Sequence, residues 1–319
     1  MKLTFHGVRG SIPVSGVDFI KYGGSTACVH IELNDGTDLI LDAGTGIKSV
    51  GEKLASKTTD IYLLLSHNHW DHIQGFPFFS PIYQPNRNIF ITPGQTAQQD
   101  DDAILRQMTG TYFPVNHASL QSNIRITPIP RETDHFVIAS ANITRRSMNH
   151  PGSGSSYLIE ADGVKIAYIT DNELYPPYQK ETDFLQWVNF ASGADLIIHD
   201  AQYMLADMPA KSGWGHSIAE EAVKLAMASR AKRLALYSHD HIRTDAEIER
   251  VEQHCQEVIE IAEVDMQMFA AAEGMSIDFD QAWALPSLWT SSLHLLIWMV
   301  FCQKLLYSNA CGRRFNLIQ

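Results

Sequence analysis

Six consecutive residues, His67-Asn68-His69-Trp70-Asp71-His72, carry three imidazoles and a carboxylate straight after the apolar run Leu63-Leu64-Leu65. Imidazole nitrogen and carboxylate oxygen suit divalent zinc, manganese or iron. Along an extended backbone, alternation points His67, His69 and Asp71 to one side. A turn at Asp71 then lets His72 face a second ion. Four ligand-type residues so close together at the end of a buried strand point to a metal site rather than to unrelated surface histidines.

Such a cluster needs elements to hold it. A strand over 61–65 delivers it. Upstream, alternation over 2–7 predicts a strand, and the apolar runs 28–33 and 39–41 around Asn34-Asp35-Gly36 predict a hairpin. A short helix over 47–55 follows the glycines of Asp42-Ala43-Gly44-Thr45-Gly46. Downstream, strands are expected over 89–92, 124–129, 136–139, 156–160 and 164–170, the last two joined at Asp162-Gly163. Helices are expected over 102–108 and 183–191. Then come a strand over 196–199, a helix over 218–229, a strand over 233–237 and a long helix over 245–261. Hairpins first, then strands alternating with helices, argue for an α/β protein with antiparallel portions in its sheets.

The composition is that of a globular chain, with 45% hydrophobic and 19% charged residues among 319. The formal net charge of −12, from 36 acidic and 24 basic residues, disfavours a long nucleic-acid footprint. It leaves room for a small phosphate-bearing substrate, because a bound cation can dominate the local field. The four cysteines form no C-x-x-C pair, so neither a disulfide framework nor a zinc ribbon is indicated, and a reduced, cytoplasmic setting is expected. No apolar stretch follows Lys2, so no signal peptide is read. Composition changes after Gln281, which divides the chain into a main domain over 1–281 and an apolar tail over 282–319. Within the tail, 284–301 is rich in Leu, Trp and Ile but interrupted by Ser287, Thr290, Ser291, Ser292 and His294. Its uninterrupted part is too short to span ~30 Å of bilayer. A docked helix or a homodimer contact is the expected role, with membrane association as the alternative.

The motif H-x-H-x-D-H after a hydrophobic strand resembles the metallo-β-lactamase superfamily, and the resemblance runs along roughly 1–281. It implies a four-layer αββα sandwich with the site at the sheet edges. It also implies further ligands at later strand ends. His150 in Met148-Asn149-His150-Pro151-Gly152 is the next in order, then Asp171 after Tyr168-Ile169-Thr170, then His239 after Leu236-Tyr237-Ser238. By that analogy His67, His69 and His150 hold one metal. Asp71, His72 and His239 hold the other, and Asp171 bridges them. His241, two residues on, is the alternative to His239.

Gly7-Val8-Arg9-Gly10-Ser11, Tyr22-Gly23-Gly24-Ser25-Thr26, Asp42-Ala43-Gly44-Thr45-Gly46, His199-Asp200-Ala201 and Gly213-Trp214-Gly215-His216-Ser217 resemble the phosphodiesterase branch. That branch includes ribonuclease Z and the cyclic-phosphate and cyclic-nucleotide phosphodiesterases. The likeness implies that His216, oriented by Asp200, contacts the phosphate or protonates the leaving oxygen. Ser217 would cap the following helix. The expected activity is hydrolysis of a small phosphodiester, such as a cyclic nucleotide, by a metal-bound hydroxide that Asp71 helps to orient. The expected cofactors are two divalent ions, Zn2+ foremost and Mn2+ or Fe2+ by the same donors. Ribonuclease Z activity is the nearest rival, but no basic, glycine-rich insertion is found to hold tRNA. Lactone or thioester hydrolysis and a non-catalytic metal-bearing sensor are the others. Arg9 is read as a phosphate contact or a structural ion pair, and Trp214, Tyr112 and Phe113 as an apolar wall or core. His6, His30, His117, His135, His199, His254 and His294 are read as packing or surface residues.

Overall fold

A computed structural model describes residues 1–281. The apolar tail read from the sequence, with its homodimer and membrane alternatives, lies outside the described residues. No helix among the described residues is long and apolar enough to cross a membrane.

The described residues form two seven-stranded sheets. The first is built mainly from the N-terminal half: β1 (Lys2–Gly7), β2 (Cys28–Glu32), β3 (Asp38–Leu41), β4 (Ile61–Leu64), β5 (Asn88–Thr92) and β6 (Asn123–Ile126). The second contains β7 (His135–Ile138), β8 (Ala141–Ser147), β9 (Ser155–Ala161), β10 (Val164–Ile169), β11 (Leu196–Asp200), β12 (Arg233–Tyr237) and β13 (Gln267–Ala270). The last strand, β14 (Ser276–Asp278), returns to the first sheet, antiparallel to β1. Each sheet is antiparallel in one half and parallel in the other. β1, β2 and β3 run antiparallel, whereas β3 to β6 are parallel. β7 to β10 run antiparallel, whereas β10 to β13 are parallel.

Helices cover the outer faces, giving the expected αββα layers. Ile47, Val50 and Leu54 of α1 (Ile47–Leu54) pack on Ile40, Ile61, Leu63, Ile89 and Ile91 of the first sheet. On the second sheet, α4 (Phe184–Phe190), α5 (Ala219–Ala228) and α6 (Asp245–Ile261) bury Trp187, Val223 and Cys255 against Ala167, Ile197, Leu234 and Leu236. Parallel strands covered on both faces read as continuous apolar runs, which is why 61–65 and 196–199 stand out in the sequence. Between them, chain order also includes the single turns α2 (Trp70–Ile73) and α3 (Ala103–Arg106). The helix expected over 102–108 is therefore one turn.

The sheets meet face to face, with the Phe5 ring 6.1 Å from Tyr237 and 6.2 Å from Phe269. Three buried tyrosines cross from the second sheet to the first with their hydroxyls. Tyr157 donates to the Leu65 carbonyl, Tyr168 to Asp42 and Tyr237 to the Gly7 carbonyl, each at 2.7 Å. A buried phenol must find an acceptor, and these acceptors lie at or just beyond the ends of β4, β3 and β1. The sandwich is thus pinned where the site loops leave it.

Candidate metal centre

β4 ends at Leu64, and the loop that follows is anchored by one buried carboxylate. Asp42 accepts from the Ser66 amide at 2.7 Å, the Ser66 hydroxyl at 2.8 Å and the Tyr168 hydroxyl at 2.7 Å, and it lies 2.8 Å from His72 Nδ1. The short helix α2 places Asp71 and His72 on its first turn, and Asp71 Oδ2 accepts the Ser11 amide at 2.7 Å.

The rings of His67 and His69 are 4.5 Å apart, those of His67 and His72 4.3 Å, and those of His67 and His150 4.9 Å. His150 Nε2 lies 3.0 Å from His69 Nδ1. His72 Nε2 lies 3.2 Å from Asp171 and 3.4 Å from Asp71. Ligand-type atoms converge in overlapping groups, each within 4.8 Å: His67, His69 and His150; His67, His72 and Asp171; His150, Asp171 and His216. His150 is supplied by the turn after β8, and Asp171 by the end of β10.

One nitrogen of each central ring is held from outside the cluster. His67 Nδ1 meets the Ser66 hydroxyl at 3.0 Å, His72 Nδ1 meets Asp42, and His150 Nδ1 meets the Gly215 carbonyl at 2.9 Å. Outer partners of this kind fix the tautomer and aim the second nitrogen inward. His67 Nε2 is buried and has no hydrogen-bond partner among the described residues. Burial, with His72 and His150 nearby, holds His67 well below its ordinary pKa, and burial also lowers His69 and brings His150 to about 4. Neutral imidazole is the ligating form. At His72 burial opposes charging, but Asp171, Asp71 and Asp42 outweigh it and push the ring well above its usual range. For Asp171, burial is outweighed by His72, His216 and His67, which hold the carboxylate ionised. Neutral imidazoles at His67, His69 and His150, an orphaned buried nitrogen and a concentration of carboxylates are what a divalent cation fits, and at His72 a cation would take the place of the proton that Asp171 and Asp71 favour.

His239 stands apart from the three groups. Its Nε2 donates to the Ala271 carbonyl at 2.9 Å and its ring meets Tyr22 at 5.7 Å, which leaves Nδ1 as the nitrogen able to ligate. His241 has a side chain 36% exposed, with Nδ1 3.3 Å from Asp240. Next to the cluster, His216 Nδ1 lies 2.7 Å from Asp200, which ends β11, and its ring sits 5.3 Å from His150. Burial opposes protonation of His216, but Asp200 and Asp171 overcome it and raise the group to about 9. Ser217 is not the cap of α5: Ile218 holds that position, and the Ser217 hydroxyl donates to the Asn172 carbonyl at 2.6 Å.

Glu173 escaped the sequence reading. It is 3% exposed, and its carboxylate accepts the amides of Gly213 and Gly215, each with a shortest distance of 2.9 Å. Its position two residues after Asp171 was the only signal available. Arg9 is wholly buried and structural, donating to the carbonyls of Gly23 and Arg243 at 2.8 and 2.7 Å, and it takes no part in the cluster. Trp214 and Tyr112 are exposed, not core, while Phe113 packs on the first sheet's core. His199 is buried with Nδ1 against the Asp200 carbonyl, outside the ligand groups.

A family model described as "Beta-lactamase superfamily domain" matches residues 37–242. A curated relative, Ribonuclease Z from Picrophilus torridus, is 23% identical, covering 75% of this chain and 85% of its own length. Among solved structures, the metallo-beta-lactamase fold protein YhfI from Bacillus subtilis superposes with a TM-score of 0.63 at 17% identity, covering 87% of this chain and 99% of that one. A diphosphatase from the PhnP family gives 0.62 at 15% identity, covering 89% and 99%.

Proposed function

The chain belongs to the beta-lactamase superfamily, and on that premise we propose that it is a two-metal hydrolase of small phosphodiesters, with a cyclic nucleotide as the preferred substrate. The observation that carries this reading is the buried His216–Asp200 pair, 2.7 Å apart beside the ligand cluster. A nucleophile alone does not cleave an alkyl phosphodiester well, because the leaving alkoxide is strongly basic. A proton donor next to the cluster meets that need and helps by ~10²–10⁴-fold.

His67, His69 and His150 would hold one cation and Asp71, His72 and His239 the other, with Asp171 available to both. Zinc, or manganese or iron by the same donors, would there acidify a water and offset charge on the phosphoryl oxygens. Asp71, fixed by the Ser11 amide, orients the attacking water. As the phosphorus–oxygen bond to the leaving group breaks, His216 gives its proton to the departing oxygen and Asp200 steadies the ring. The proposed compartment is the cytoplasm, consistent with Cys28 and Cys255 as buried free thiols.

Ribonuclease Z activity is the second reading, favoured by the name of the curated relatives. The net charge of −12 weighs against a tRNA partner. Lactone or thioester hydrolysis and a metal-bearing sensor domain have less support, because the motifs around Asp200 and His216 resemble the phosphodiesterase branch. Metal analysis of the purified protein, with a panel of cyclic nucleotides, a nitrophenyl diester and precursor tRNA, tests the proposal. Two equivalents of metal with turnover of the small diesters support it, and turnover of precursor tRNA alone overturns it.

A further inference from the structure

We infer that the cleft beside His67 and His69 is the subsite for the alcohol portion of the substrate, and that it takes an uncharged polyol such as a ribose in preference to a group carrying a second phosphate. The inference rests on the phosphodiesterase reading and narrows its substrate. The cleft encloses about 270 Å³. His67 and His69 bound it on the cluster side, and Asn68, Thr96, Gln98, Asp100 and Ser153 line the rest.

Its walls are already joined. The Ala97 amide donates to the Gly152 carbonyl at 2.8 Å, and Asn68 Nδ2 donates to the Asp100 carbonyl at 2.8 Å. A preformed cleft does not have to be ordered when substrate arrives, so less binding energy is lost. The lining side chains offer amide, hydroxyl and carboxylate groups, which match the donors and acceptors of a sugar.

The charge in the cleft decides against a second phosphate. None of the lining residues is Lys or Arg. The nearby Arg106 guanidinium is already engaged by Asp100 and by Asp102. A phosphate brought here would lose water without gaining a free counter-charge from the lining, and burying an unpaired charge is costly.

The test compares adenosine 2′,3′-cyclic phosphate with its 5′-phosphorylated form on the metal-loaded protein, by titration calorimetry and by steady-state kinetics. The wild type should bind the unphosphorylated ligand at least about tenfold more tightly and show the lower KM for it. Gln98→Lys should shrink or reverse that ratio. Equal or tighter binding of the 5′-phosphorylated form by the wild type overturns the subsite. So does a ratio that Gln98→Lys does not move, or absence of binding by both ligands. If the cyclic ligand binds with the expected preference but neither it nor a nitrophenyl diester is hydrolysed, the phosphodiesterase reading fails and the cleft assignment stands.

Discussion

The Glu173 carboxylate holds the Gly215 amide at 2.9 Å, and the carbonyl of that same glycine holds His150 Nδ1 at 2.9 Å. One buried acid thus aims a proposed ligand on one side of the loop and presents His216 on the other. The loop turns at Gly213 and Gly215, with φ of +84° and +88°, a region open to glycine at little cost. A side chain at Gly215 would press its Cβ into the His150 ring.

Glu173→Ala should leave the buried Gly215 amide and the half-buried Gly213 amide without acceptors and the loop free to drift. Unmade hydrogen bonds to a charged group cost ~1.5–3 kcal/mol each, so the melting temperature should fall by several degrees. Bound metal per chain should fall as well, because His150 loses its aim. Glu173→Gln keeps one acceptor oxygen and should recover part of both. Full metal affinity in the alanine variant, measured by competition with a chromophoric chelator, would show that Glu173 only stabilises the fold.

How much of this was legible in the sequence depends on where each residue's signal comes from. His67 to His72 announced themselves because ligand types crowd within one loop after a strand apolar on both faces. The strands β4, β10, β11 and β12 were readable for the same reason. β8 was not: Ala-Asn-Ile-Thr-Arg-Arg-Ser has only alternate buried positions, and pairing with β9 across Asn142 to Ser147 defines it. β14 is three residues long and exists through its pairing with β1. Glu173 and Asp42 act through contacts with residues 42 and 30 positions away in sequence, which no local spacing encodes. The Ser217 cap failed because its hydroxyl bonds the Asn172 carbonyl instead.

Asp42 supports a second arm of the cluster. Ser66, Tyr168 and His72 all converge on its carboxylate. Asp42→Asn keeps the size but turns one oxygen into a donor that faces donors. Metal affinity should drop ~10–100-fold, the usual cost of losing an outer partner of a ligating histidine, with a smaller loss of thermal stability. Chelator competition and calorimetry on the same samples separate the two. An unchanged metal affinity would mean that His72 is oriented by packing alone.

Far from the cluster, His6 makes stability depend on acid. Its Nδ1 lies 2.7 Å from the Ser49 hydroxyl, and burial, with His30 and Lys53 nearby and only Glu32 opposing, brings it from 6.5 to about 4. Because the folded-state value is depressed, the neutral ring is favoured by folding. Its contribution is complete above pH 6.5 and is lost as pH falls toward 4. His6→Phe cannot be protonated, so its melting temperature should fall less steeply than wild type across that interval. Across the interval the wild type should lose up to roughly 3 kcal/mol more than the variant, or several degrees. Parallel curves would remove His6 from the acid response.

The proton donor can be tested by varying the leaving group. His216→Ala removes the proton but leaves the His67, His69 and Asp171 side chains in place. Cleavage of an alkyl phosphodiester should fall ~10²–10⁴-fold, because the leaving oxygen then departs as a free alkoxide. A nitrophenyl diester releases a weakly basic phenolate and needs little protonation, so its turnover should fall much less. Asp200→Asn should follow the same pattern with a smaller loss, because the ring remains but its imidazolium form loses the partner that raises it to about 9. In the wild type the alkyl ester should lose rate as rising pH deprotonates His216, since the group must be protonated to act. The nitrophenyl ester should lack that limb. Equal losses on both esters, with metal content unchanged, would refute proton donation by His216 and recast it as a phosphate contact.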